Sequence, residues 1–75
     1  MYNIGEISGA IWKYLSENGK VQYKKMRDDV MSSFDTLPMK DNKFSMAIGW
    51  LAKEGKLNFI EEGEGRRYRL FIELR

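Results

Sequence analysis

The run Phe44-Ser45-Met46-Ala47-Ile48-Gly49-Trp50-Leu51-Ala52-Lys53-Glu54-Gly55-Lys56-Leu57 decides the fold. Phe44, Ile48 and Leu51 recur at i, i+4 and i+7 with Ala47 beside them, the spacing of one apolar helix face. The opposite face carries Asn42, Met46, Gly49 and Lys53, while Trp50 lies off the apolar stripe near Lys43 and Met46. Gly55 stands where a helix turns into the left-handed conformation that glycine adopts without steric cost. Asp41 or Asn42 can cap the other end. A helix from there to Glu54 is predicted, and at Leu57 the period changes.

Downstream, Leu57 to Glu61 reads as one strand and Arg67 to Leu74 as another. In the second, Tyr68, Leu70, Ile72 and Leu74 alternate with Arg67, Arg69, Phe71 and Glu73. Glu62-Gly63-Glu64-Gly65 is the turn between them. With Gly63 and Glu64 at its centre, Phe59 faces Tyr68 and Leu57 faces Leu70, so that both inward faces are apolar.

Upstream, a first helix is expected from about Asn3 to Glu17. Asn3 is its cap, and Glu6 stands three residues on in the manner of a capping box. Ile4, Ile7, Ile11 and Leu15 share a face with Ala10 and Tyr14, and Trp12 falls at the edge of that stripe. Asn18-Gly19 ends the helix. Lys20-Val21-Gln22 is too short for a sheet of its own and is expected to join the later hairpin. A second helix covers about Tyr23 to Ser32, with Tyr23, Met26 and Val30 inward. Ser33 to Met39 is a loop marked by Asp35 and Pro38, from which Phe34 and Leu37 fold back onto the core.

This order of helix, short strand, helix, helix and hairpin resembles the winged helix-turn-helix. More narrowly, the run from Ala47 to Leu57 resembles a family of small, stand-alone, uncharacterised prokaryotic winged-helix proteins. The resemblance covers nearly the whole chain. It implies an α+β fold with three helices, a short first strand and a C-terminal β-hairpin wing, in one domain over residues 1–75. It implies a fold rather than a particular activity. Two features depart from the usual pattern: the approach to the third helix, Ser32 to Lys40, exceeds a tight turn, and the wing tip is acidic, with Glu61, Glu62 and Glu64.

Composition narrows the function. The 75 residues are 43% hydrophobic and 32% charged, an ordinary globular balance. A domain this small leaves much of its surface unburied, so that dimerisation would add stability. The net charge is +2, all of it from residue 40 onward, so any attraction for phosphate is local. The chain has no cysteine and no histidine, which removes disulfides, thiolate zinc sites and imidazole bases. Asp28-Asp29 and Glu61-Glu62 are sequence neighbours whose side chains diverge, which is a poor arrangement for paired acid–base chemistry. Gly63-Glu64-Gly65 is a turn with no helix after it, unlike a phosphate loop. No catalytic residue, metal site, cofactor or small-molecule substrate is expected. The N-terminus lacks the pattern of a signal peptide and no run is long enough to span a membrane, which fits the cytoplasm.

Two groups of residues remain. Lys40, Asn42, Lys43, Ser45, Met46 and Lys53 on the third helix, with Arg66, Arg67 and Arg69 on the wing, are candidates for phosphate or base contacts with duplex DNA. The bland alternatives are a solvated helix face and arginines paired across the hairpin with Glu61, Glu62 or Glu64. Trp12, Met46 and Trp50 are candidates for a partner or homodimer surface, since Trp and Met are enriched at interfaces; alternatively they wrap the edge of a small core. The expected function is therefore that of a non-enzymatic, transcription-related DNA-binding protein. The alternative is a protein–protein interaction module or homodimer without direct DNA binding.

Overall fold

The computed structural model describes residues 2–75. Helix α1 covers Tyr2–Asn18, strand β1 Val21–Gln22, helix α2 Tyr23–Met31, helix α3 Lys40–Lys53, and strands β2 and β3 Leu57–Glu64 and Arg67–Leu74. A 3₁₀ turn, Ser32–Phe34, follows α2. The three strands form one antiparallel sheet in the order β1-β3-β2. This is the α+β architecture that the helical and alternating periods predict.

The apolar stripes become the core. Ile7, Ile11 and Leu15 of α1, Met26, Val30 and Met31 of α2, and Phe44, Ala47, Ile48 and Leu51 of α3 are buried together with Leu57 and Ile72 of the sheet. Ile4, Ala10, Tyr14, Phe34 and Leu37 pack at its margin. Tyr23 meets Phe44 edge-on, with ring centroids 5.8 Å apart. The first helix starts at Tyr2, so Asn3 lies inside its first turn and is not the expected cap. Its other end is as expected. Gly19 has φ 68° and donates its N–H to Leu15 O at 2.9 Å, while Asn18 Nδ2 donates to Tyr14 O at 2.8 Å.

A polar tie joins α1 to α2. The Tyr14 hydroxyl donates to Asp29 Oδ2 at 2.6 Å, and Lys25 Nζ donates to the same oxygen at 3.2 Å. The Tyr14 bond, and then Lys25, hold the Asp29 carboxyl below its ordinary pKa, and that bond raises the Tyr14 phenol above its own. The Asp29 contribution to stability is thus present above the ordinary carboxylate pKa and is lost as pH falls through the lowered one. The Tyr14 contribution is present below the ordinary phenol pKa and is lost as pH rises through the raised one. Tyr14→Phe is expected to move the Asp29 titration midpoint upward, read by carboxyl NMR. An unmoved midpoint would leave Lys25 as the only influence.

The approach to α3 is long but ordered. Phe34 and Leu37 anchor it on the core, and Leu37 N–H donates to Phe34 O at 3.0 Å. Helix α3 then starts at Lys40, earlier than a cap at Asp41 or Asn42 would allow. Met39 is the N-cap residue. It sits in the left-handed region at φ 55° and makes no side-chain cap bond, so the helix start is set by how the anchored loop enters rather than by capping chemistry. Asp41 falls in the first turn, where a carboxylate favours the helix dipole. At the far end Gly55 has φ 71°. Gly55 N–H bonds to Ala52 O and Lys56 N–H to Leu51 O, the paired closure of a Schellman motif.

The hairpin departs from the expected register. Leu57 pairs with Leu74 rather than Leu70, and Phe59 with Ile72 rather than Tyr68. The ladder extends to Glu64↔Arg67, which leaves Gly65-Arg66 as a two-residue turn. Gly65 takes the first central position with φ 60°, a place that two-residue hairpin turns reserve for glycine. This register keeps Leu74 paired and lengthens the first strand from the expected Leu57–Glu61 to Leu57–Glu64, while the second is Arg67–Leu74 as expected. The slip is even, so the faces are unchanged: Leu57, Ile72 and Leu74 still look toward the helices. The short strand joins as expected, with Val21 opposite Ile72 and Gln22 opposite Phe71.

Candidate nucleic-acid interface

The exposed surface of α3 has two halves. Helical spacing sets Asn42, Ser45, Gly49 and Lys53 along one side. All four are exposed. Met46 and Trp50 lie one turn apart along the adjoining side, 49% and 58% exposed, with the half-buried Lys43 beyond them. The polar half offers amide, hydroxyl and ammonium groups that suit phosphates and base edges. Its one cation is Lys53.

Lys40 is not free in the same way. Its ammonium donates to Asp35 Oδ1 at 2.8 Å, which raises the Lys40 pKa and lowers that of Asp35. The pair borders a groove of about 450 Å³ that also takes in Arg27, Asp28 and Asp41. Arg27 lies 3.5 Å from Asp28, so both cations here already face carboxylates. The groove has no excess of positive charge to offer a phosphate.

The wing, β2 with β3, carries the other cations. Arg67 and Arg69 project from the face of the sheet opposite to Leu57 and Ile72, and Arg66 sits in the turn; all three are exposed. Glu64 stands directly across from Arg67, and Glu62 across from Arg69. Even so, the ion pairs among the described residues are Lys20–Glu62, Lys25–Asp29, Arg27–Asp28 and Lys40–Asp35. The expected pairing of wing arginines with Glu61, Glu62 or Glu64 is not among them. Lys20 is the reason at Glu62. It lies over the Phe71 ring, 4.9 Å from the centroid, and donates to the Glu62 carboxylate. Sequence reading missed Lys20, because its partner is 42 residues away. The one available signal was its place beside a short strand that had to reach the hairpin.

Trp12 is 50% exposed on α1, and Met39, at the head of α3, is 68% exposed. The aromatic pair found among the described residues is Tyr23–Phe44, so the two tryptophans are not stacked on each other. Each is about half exposed and neither belongs to the buried core cluster. Among the described residues no cluster of carboxylates has metal-binding geometry, and no helix is long and apolar enough to cross a membrane.

The comparison with curated proteins and the comparison with solved structures each returned no match. A family model did match, over residues 1–71, and its description is a winged helix-turn-helix domain. Three helices, a short strand paired to the C-terminal hairpin, and this match together place the chain in the winged helix-turn-helix domain family DUF2582.

Proposed function

We propose that residues 1–75 act as one cytoplasmic, non-enzymatic domain that binds duplex DNA through its phosphates in a transcription-related setting. The observation that carries this reading is the trio Arg66, Arg67 and Arg69. These guanidinium groups are exposed near the end of a projecting hairpin and lack an ion-pair partner among the described residues, although carboxylates face two of them. A free guanidinium fork fits two phosphate oxygens at once, and each phosphate neutralised releases condensed counterions. Lys53, Asn42 and Ser45 on the polar half of α3 add positioning contacts. Helix α3 carries no arginine, the side chain best suited to bidentate readout of guanine, which favours contact with the backbone over readout of bases.

Binding to a fluorescent duplex, measured over a range of salt concentrations, tests this. Arg67→Gln with Arg69→Gln is expected to weaken binding and to reduce the slope of log K against log salt by about 1.8, or about 0.9 for each phosphate left without its arginine. An unchanged slope would remove the wing from the interface. No binding by the unaltered chain at low salt would overturn the reading.

A second reading rests on Trp12, Met46 and Trp50, each about half exposed. Large apolar side chains left in water are typical of partner surfaces. This reading makes the chain a protein-interaction module or a homodimer.

A further inference from the structure

The apolar half of the α3 surface has a charge border that says what kind of protein would cover it. Met46 and Trp50 sit one turn apart on the exposed surface of α3. Lys43 lies one turn before Met46 and Lys53 one turn after Trp50, so the stripe reads cation, apolar, apolar, cation. Neither lysine is in an ion pair among the described residues. Glu54, the C-cap residue, adds one carboxylate at the far end and leaves the border net positive.

That border counts against a second copy of the chain. A closed two-fold dimer applies one surface patch to itself. If two α3 helices met antiparallel, with Met46 against Trp50 of the second copy, Lys43 would fall opposite Lys53. If they met parallel, Lys43 would face Lys43 and Lys53 would face Lys53. Both closed arrangements oppose like charges, and such juxtaposition at an interface is costly. A partner helix with apolar side chains one turn apart and carboxylates outside them satisfies the same surface twice. Its apolar groups cover Met46 and Trp50, and its acids meet Lys43 and Lys53.

We propose that the Met46–Trp50 face of α3 docks an acidic amphipathic helix of another protein. The inference rests on the second reading above and names the partner's chemistry. The polar half of α3, with Asn42 and Ser45, lies to one side of this face and stays open. Docking there and phosphate binding at the wing therefore use different side chains.

The test titrates the full chain, followed by NMR, with a synthetic amphipathic helix bearing leucines on one face and glutamates flanking them. A twin peptide with lysine at every glutamate is the comparison, and light scattering gives the mass of the free chain. The expected result is a monomer whose Trp50 indole and Met46 methyl signals move with the acidic peptide. The acidic peptide should bind roughly tenfold or more tightly than its twin, as opposed charges predict. Trp50→Ser and Met46→Ser, both at exposed positions, should each weaken that binding while the spectrum of a folded chain persists. Equal affinity for the two peptides would overturn the acidic partner and leave only an apolar contact. A dimer that Trp50→Ser turns into a monomer would overturn it in favour of a second copy, while the interaction-module reading survived. A monomer that binds neither peptide would remove both. Duplex DNA moving Trp50 and Met46 as strongly as Asn42 and Ser45 would assign the face to nucleic acid.

Discussion

Phe44→Ala is expected to remove most of this chain's stability at room temperature. Phe44 is among the largest fully buried side chains and stands on the helix that packs against α1, α2 and β2. Its ring also meets Tyr23 edge-on, so truncation removes an aromatic pairing along with the buried area. Cutting a buried phenylalanine to alanine costs about 3–5 kcal/mol, from the transfer energy of the missing atoms and the cavity left behind. Small domains have a total stability of about 5 kcal/mol at the low end of the usual range, so the substitution removes most of it. Urea unfolding followed by circular dichroism gives the answer. Phe44→Leu, which retains much of the volume, should keep a cooperative transition at lower urea. If Phe44→Ala unfolds at the same urea concentration as the parent, Phe44 does not hold the core together.

The second large effect is expected at Gly63, inside the wing strand β2. Its φ is 128°, a conformation that side-chain-bearing residues rarely adopt. A Cβ placed there would lie 2.0 Å from Arg67 O and 2.6 Å from Tyr68 Cα on the facing strand. Both are backbone atoms, so no rotamer change relieves the clash. Backbone strain of this kind costs about 1–3 kcal/mol, and overpacking adds about 1–3 kcal/mol. The chain escapes by parting the strands at the tip, because the ladder from Leu57 to Ile60 does not depend on Gly63. Gly63→Ala should therefore abolish amide-exchange protection around Glu62, Glu64, Arg67 and Arg69 while Val21 and Ile72 stay protected. Duplex binding through Arg67 and Arg69 should fall with it. Gly65 provides the control. It also has positive φ, at 60°, but a Cβ there meets nothing within 4 Å. Gly65→Ala should strain the turn through its φ alone, with no atom in its way, and so disturb the tip less than Gly63→Ala. Equal behaviour of the two variants would show that strain at φ, and not the backbone clash, governs the tip.

Helix identity and helix ends at glycine were legible from the chain alone. The stripes Ile7-Ile11-Leu15 and Phe44-Ile48-Leu51 repeat at the helical period, and burial follows that period directly. Gly19 and Gly55 mark helix ends because a local left-handed turn needs no distant partner. The face of each hairpin strand was legible for a similar reason, since alternation by two survives an even slip of register. The start of α3 was not, because Met39 caps it without a side-chain bond. Phe34 and Leu37, held on the core, set where the chain enters.

The candidate site divides in the same way. That Asn42, Ser45, Met46 and Lys53 face outward follows from their offset from Phe44, Ile48 and Leu51. Which cations are free to act does not follow from any local pattern. Asp35 engages Lys40, and Lys20 reaches across the sheet to Glu62, so Arg69 keeps no ion-pair partner among the described residues even though it faces that glutamate. The sequence by itself determined the helices, their glycine ends and the faces of the strands, because each depends on neighbours within a turn or on alternation along one strand. Only the tertiary structure decided the hairpin register, the entry to α3 and the partners of its charges, because these depend on which distant segments the core brings together.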